Sequence, residues 1–291
     1  MTAFLGIETG GTKIVARLVN RAGDLLAGER WPTGTPEQAA DQIVRFTRAS
    51  LPAGEHLAAA GLAAFGPLIL DIGTGDAGRM LATAKPGWTG SNLRAALASQ
   101  LGVPVAVDTD VNAAALAEKT LEAGDGCPTV AYLTIGTGIG AGLATAAGTL
   151  AGAMHPEIGH LRLIRESGDI APSVCPFHAD CAEGLAAGPA VARRLRPDER
   201  LEQNGEIGSL VARYVAQLAA ALVLAWSPHR IVLGGGVMTA EGMLERTQDA
   251  FAAMLGDYGV GPLARDPRFL AAAVLADAGL EGALLMGRSI A

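Results

Sequence analysis

The sequence predicts an α/β fold with at least partly parallel sheets and two related halves. Two observations carry that expectation. Strand-like apolar stretches alternate with amphipathic, helix-like ones along the chain, which is the pattern of strand-helix-strand units. In addition, Ile7-Glu8-Thr9-Gly10 is echoed by Ile135-Gly136-Thr137-Gly138, 128 residues further on (135 − 7), each at a glycine turn between two strand-like runs.

The elements follow in order. FLGIETGGTKIVARLV alternates apolar residues on both sides of Gly10-Gly11, so it reads as a hairpin, and LLAGERW extends it into a three-stranded meander. GTPEQAADQIVRFTRASL carries a helix start, with Thr35 as N-cap, Pro36 at the first helical position and Gln38 closing a capping box. LAAAGLAAFG and PVAVDTD read as buried strands ending in small or polar residues. Between them SNLRAALASQLG reads as a helix capped by Ser91. A second hairpin, VAYLTIGTGIGAGLATAAG, begins after a turn at Gly126 and Pro128. The remainder gives a helix from near Ile207 to Trp226, the strand-turn RIVLGGGVM, a helix, the strand FLAAAVL and a last helix, AGLEGALLMGRSIA.

With 291 residues and 50% hydrophobic content the chain can bury two cores. A net charge of −7 leaves no basic footprint for nucleic acid or an anionic membrane, so any phosphate must be held locally. MTAFLGIETG has no basic n-region or cleavage site, and VAQLAAALVLAW is too short to span a bilayer. Three cysteines, two of them suited to metal, point to a reducing compartment, and the cytoplasm is expected.

Chemistry-bearing residues concentrate between His155 and Gly184, which hold three of the five histidines and two of the three cysteines. Cys175, His178 and Cys181 follow a Cys-x2-His-x2-Cys spacing, and His160 upstream supplies a fourth ligand, a set of the kind zinc prefers. Glu157 and Glu183 flank them. Three glycine turns close strand-like runs: Glu8 to Lys13, Thr134 to Gly140 and Leu233 to Met238. Any one of these is a tight turn; together they suit phosphate oxygens, which bare backbone N–H groups approach closely. A P-loop is excluded by the absence of Gly-x4-Gly-Lys-Ser/Thr. GTGIGAG lacks the following helix that a dinucleotide-binding fold requires. Asp108 and Asp110 stand at the carboxyl end of an apolar strand, with Asp108 expected to cap the next helix and Asp110 to act as a base. Phosphorylating an alcohol needs a carboxylate to take the hydroxyl proton, magnesium, and donors around the phosphates.

In combination, GIETGGTK, FGP, DTDVNAAALAE, TIGTGIGAG, HPEIGH, CPFHADCAEGLAAGPA and IVLGGGVM resemble the ROK sugar kinases, and most closely their zinc-containing bacterial fructokinases. The resemblance implies a two-lobed actin/hexokinase-like (ribonuclease H-like) ATPase fold, with Mg-ATP and a hexose bound in the cleft between lobes. The expected lobes are 1–112, joined by the C-terminal helix at about 277–291, and 113–276 with a zinc loop at 155–184. Carried over by position, Asp110 is the general base, and Gly10, Gly11, Thr12, Lys13, Thr137 and Gly138 face the phosphates. Gly188, Pro189, Gly234, Gly235 and Gly236 lie near the nucleotide's base and ribose. Glu157, His160 and Glu183 hold sugar hydroxyls, and His160, Cys175, His178 and Cys181 bind a structural zinc.

Glu8, Thr109 and CPFHADC depart from the ROK glucokinases toward the fructokinase branch, so fructose is the favoured acceptor, with glucose or mannose as alternatives. A silent sugar sensor is the rival outside the enzymes. The first strand starts at once, without the helix-turn-helix of ROK repressors, which disfavours DNA binding. A homodimer is expected. TAKPGW, Thr83 to Trp88, reads equally as an aromatic wall for a sugar and as a surface turn with one anchored tryptophan.

Overall fold

A computed structural model describes residues 2–121, 126–256, 258 and 265–291. The chain forms two compact units. One comprises Met1–Ala117, Gly148–Pro156 and Leu275–Ala291; the other comprises Glu118–Ala147 and Glu157–Val274.

The first unit opens with the expected meander, β1 (Thr2–Thr9), β2 (Lys13–Asn20) and β3 (Leu25–Pro32), followed by α1 (Pro36–Ser50), β4 (His56–Ala64), α2 (Leu93–Leu101), β5 (Val105–Thr109) and the start of α3 (Asp110–Leu121). Its strands run in the order β3-β2-β1-β4-β5, with β1 antiparallel to β2 and parallel to β4. The capping box of α1 forms as predicted: Thr35 Oγ1 accepts from the Gln38 amide, and Gln38 Oε1 accepts from the Thr35 amide at 3.0 Å. Ile43, Val44 and Phe46 then turn inward, each contributing about 1.5–3 kcal/mol by leaving water. The cap of α2 differs from the expectation. Asn92, not Ser91, accepts from the Ala95 amide at 2.9 Å, because the Ser91 hydroxyl is engaged by the Trp88 carbonyl at 2.6 Å.

The last helix, α8 (Ala278–Ser289), returns to this unit and lies on β1 and β4. Glycine makes that approach possible. A Cβ at Gly61 would stand 1.8 Å from the Ala283 carbonyl, and one at Gly282 would stand 1.9 Å from that of Ala113.

The second unit starts with β6 (Val130–Ile135) and β7 (Ile139–Thr145). After the short β8 (Gly148–Thr149), which lies in the excursion belonging to the first unit, it continues with α4 (Ala182–Ala186), α5 (Gly188–Ala192), α6 (Gly205–Trp226), β9 (Arg230–Gly234), α7 (Met243–Leu255) and β10 (Leu270–Ala272). Its strands run β10-β9-β6-β7, with β6 antiparallel to β7 and parallel to β9. The predicted strand FLAAAVL is thus only three residues long. Helix α6 begins at Gly205, two residues before Ile207, and its cap Asn204 accepts from the Ile207 amide at 3.0 Å. At 22 residues it is long and apolar enough to cross a membrane, and its Val211, Tyr214, Val215, Leu218 and Leu222 are buried in the second core.

The two units share a plan in which an antiparallel hairpin leads and parallel strands follow on the far side of its first strand. The three-residue turns 10–12 and 136–138 occupy equivalent places 126 residues apart (136 − 10), so the plan is repeated but the four-residue echo at 128 does not align with it: Gly10 opens the first turn, whereas Gly138 closes the second.

Candidate functional site

In the first unit β5 delivers Asp108, Thr109 and Asp110 to its carboxyl end. Asp108 is not the helix cap. Its buried carboxylate takes the Thr109 amide at 2.7 Å, the Asn112 side-chain amide at 2.8 Å and the Thr149 hydroxyl. The cap is Thr109, whose hydroxyl accepts from the Asn112 amide at 3.1 Å. Burial raises the pKa of Asp108, and its three donors only partly oppose that. Asp110 is the less enclosed of the two. It is half-buried at the first position of α3, with one oxygen taking the Val111 amide at 2.9 Å.

Asn112, fully buried, also donates to the Leu150 carbonyl at 3.0 Å. The Leu68 amide donates to His155 Nε2 at 3.1 Å, so the ring proton is on Nδ1, toward the Pro156 carbonyl. Thr149, Leu150 and His155 thereby stitch the 148–156 excursion onto the floor of the Asp108 site. None of these partners was visible in the sequence.

The turn at Gly10, Gly11 and Thr12 leaves all three rim residues open enough to meet a ligand, and Lys13 starts β2 with an exposed side chain. Beneath it the Glu8 carboxylate accepts the Leu280 amide at the start of α8. Burial pushes its pKa up, while Lys13 opposes the shift. Trp88 of TAKPGW is 1% exposed and offers no wall to a sugar.

In the second unit the structure gathers three separate stretches around one carbonyl pair. Gly136 closes the β6–β7 turn on the Gly138 carbonyl at 2.9 Å, and its own carbonyl takes the amide of Gly188, ahead of Pro189, at 2.7 Å. The Ile135 carbonyl takes the Val237 amide at 3.0 Å, and the left-handed Gly235 sits so close that a Cβ would be 2.3 Å from Ile135 O. Thr137, Gly138, Gly188, Pro189 and Gly234 to Gly236 are therefore neighbours. Glu183, in the first turn of α4, reaches the same turn: its Oε2 accepts from the Ile139 amide at 3.1 Å, and a Cβ at Gly138 would stand 2.7 Å from it.

The ligand atoms of His160, Cys175, His178 and Cys181 all lie within 4.8 Å of one another. Cys175 Sγ is 3.8 Å from His160 Nδ1 and 3.6 Å from His178 Nδ1. With metal–sulfur and metal–nitrogen bonds of about 2.3 and 2.0 Å at a tetrahedral angle, the expected S···N separation is about 3.5 Å, so the quartet fits a zinc-sized ion. His160 presents Nδ1 to the cluster and Nε2 to Glu157 Oε2, 4.0 Å away, so the side chain that would bind metal also faces a candidate sugar carboxylate. Burial first, then the neighbouring Cys175 and Glu183, push the Cys181 thiol up to about 11. A cation would reverse that balance by stabilising the thiolate.

The same segment has a second anchor that sequence reasoning missed. Asp169 receives Arg194 Nη2 at 2.7 Å and Nε at 3.2 Å, together with the Tyr214 hydroxyl at 2.7 Å. Arg165 binds the loop to itself through the Ala171 carbonyl at 2.7 Å and Asp180 at 2.9 Å.

The pattern of the ROK family matches residues 4–289. A fructokinase of Zymomonas mobilis subsp. mobilis is 39% identical over 261 residues, covering 87% of this chain and 85% of that protein. A fructokinase of Lactococcus lactis subsp. cremoris is 34% identical, covering 89% and 87%. Among solved structures, the ROK hexokinase from Thermus thermophilus superposes with a TM-score of 0.77 at 32% identity, covering 99% of this chain and 98% of that one.

Proposed function

Because the chain belongs to the ROK family, we propose that it is an ATP-dependent hexose kinase that transfers the γ-phosphoryl group to a hydroxyl of fructose, in the cytoplasm. The observation that carries the reading is the division of labour at the end of β5. Asp108 is buried and holds three donors, whereas Asp110, at the first position of α3 beside it, is half-buried and is the carboxylate nearer solvent.

In the proposed reaction Asp110 takes the proton of the sugar hydroxyl as its oxygen attacks the γ-phosphorus. The bond to the bridging oxygen breaks, and ADP leaves with that electron pair. Gly10 to Lys13 in the first unit, and Thr137 and Gly138 in the second, supply donors to the phosphates. The neighbouring backbone of Gly188, Pro189 and Gly234 to Gly236 receives the nucleoside. Magnesium held by the nucleotide neutralises charge on the phosphates. Glu157, His160 and Glu183 accept from or donate to sugar hydroxyls.

We assign zinc to His160, Cys175, His178 and Cys181. Four protein ligands leave no open position, so the metal's role is to fix the loop from which Glu157 and Glu183 project. Fructose is favoured over glucose or mannose by the named relatives at 39% and 34% identity. The test is a coupled ADP-release assay across fructose, glucose and mannose with Mg-ATP. Fructose is expected to give the highest kcat/KM; turnover of none of them defeats the kinase reading, and a preference for glucose or mannose defeats the fructose assignment.

A further inference from the structure

TAKPGW is left without a role by the reaction above, yet its geometry is specific. Trp88 packs edge-on against Phe65, with ring centroids 4.9 Å apart, and donates its indole N–H to the Gly34 carbonyl at 2.9 Å. That anchor lays the partly buried Lys85 across the first glycine turn, where its Nζ donates to the Gly11 carbonyl at 2.8 Å.

The turn's backbone can be accounted for group by group. The Gly10 carbonyl takes the Thr33 hydroxyl at 2.6 Å, Gly11's takes Lys85, Thr12's takes the Thr33 amide at 3.0 Å, and Lys13's takes the Gly10 amide at 2.8 Å. Every carbonyl is engaged, while the amides of Gly11 and Thr12 have no partner among the described residues. A Cβ added to Gly11 would meet nothing within 4 Å, and the residue is not in the left-handed region. Neither packing nor backbone conformation requires glycine there; close approach of a ligand does. Lys85 spends one of its three N–H donors on Gly11 and forms no ion pair with any described carboxylate. Free amides, a bare backbone and an uncompensated cation converge on one edge of the turn.

We propose that Lys85 is a second phosphate-binding cation beside Lys13, holding the terminal phosphates of the nucleotide against the Gly10–Lys13 turn. This rests on the kinase reading and adds a residue to it. Two remaining N–H donors suit the non-bridging oxygens of the leaving diphosphate, where negative charge develops during transfer. Lys85 therefore discriminates by phosphate number and is indifferent to the nucleoside.

The test is calorimetric titration of wild type, Lys85→Met and Lys85→Arg with ADP, a non-hydrolysable ATP analogue, AMP and fructose, all with magnesium. Lys85→Met is expected to weaken ADP and the ATP analogue by about 10- to 100-fold, as loss of a charge-assisted hydrogen bond does. AMP and fructose affinities stay within about two-fold, and Lys85→Arg restores most of the loss. Unchanged ADP affinity in Lys85→Met overturns the proposal, and so does an equal loss for AMP, fructose and ADP, which is the mark of a merely structural residue. The two readings fail separately. A wild type without hexose turnover defeats the kinase assignment, whereas an active wild type whose ADP affinity ignores Lys85→Met defeats only this one.

Discussion

Replacing Asp169 by asparagine tests whether the loop that carries the Cys/His cluster is held by its polar clasp as well as by the proposed metal ligands. Asp169 and Arg194 are 3% and 5% exposed at the side chain and meet in a two-point pair, with Tyr214 adding a third bond. Removing the charge leaves a buried guanidinium without its counter-ion, which costs about 3–5 kcal/mol in comparable pairs. The low end applies here, about 3 kcal/mol, because Arg194 Nη1 keeps the Leu185 and Ala190 carbonyls at 3.0 and 2.8 Å. For a unit of this size that lowers Tm by about 6–12 °C.

Burial pushes the Asp169 carboxyl up, but Arg194 and Tyr214 outweigh it and hold it below the ordinary range. A depressed folded pKa contributes stability that is present above the unfolded value, near 3.9, and is lost as pH falls through the folded one. The gap between wild type and Asp169→Asn is therefore complete at pH 7 and closes below about pH 4. Differential scanning calorimetry of the metal-loaded protein reads it out, with the transition that moves on chelation identifying the second unit. A Tm shift under about 2 °C, or a gap that does not depend on acid pH, refutes the clasp.

Asp110→Asn keeps the shape of the side chain and loses the proton acceptor, so kcat falls by about 10²–10⁴-fold while fructose and ATP binding persist; a near-wild-type kcat reassigns the base. Chelation of the proposed zinc is expected to cost fructose affinity before nucleotide affinity, because the quartet includes His160, which faces Glu157, whereas the phosphate-facing turn Gly10 to Lys13 lies in the other unit. Mass spectrometry for bound zinc, followed by titration of the chelated protein, checks this, and fructose binding that survives chelation separates metal from sugar. Gly138→Ala places a methyl 2.7 Å from Glu183 Oε2, too close for both to stay, and pushes the carboxylate off the Ile139 amide. The expected result is a rise in fructose KM of about ten-fold, the worth of one hydrogen bond to a charged group, with Tm nearly unchanged; an unaltered KM removes Glu183 from sugar binding.

What the sequence determined by itself is what short-range forces write into it. Thr35 and Gln38 specify the start of α1 because both bonds of the capping box close within three residues. Alternating apolar residues set both hairpins, and Cys175, His178 and Cys181 are near one another in any compact loop. Asp110 could be placed at a strand end because that strand is continuous with its own sequence. Where a local choice lay between neighbours, the sequence was less decisive. Ser91 and Asn92 are both cap formers, and only the position of the Trp88 carbonyl decides between them.

Tertiary structure alone decided the contacts between residues far apart along the chain. Thr149 reaches Asp108 across 41 positions, Lys85 reaches Gly11 across 74 and His155 reaches Leu68 across 87. The return of α8 to the first unit depends on Gly61 and Gly282, whose missing side chains carry no signal until the facing carbonyls are in place. Asp169, Arg194 and Tyr214 look like a surface acid, a surface base and a core aromatic, and become a clasp only when α6 and the 155–184 loop pack together. The physical reason is that closing a long loop has a cost that changes little with its length, so sequence separation says almost nothing about which distant groups meet. Burial and the demand that every enclosed polar group find a partner settle that, and both are properties of the packed chain.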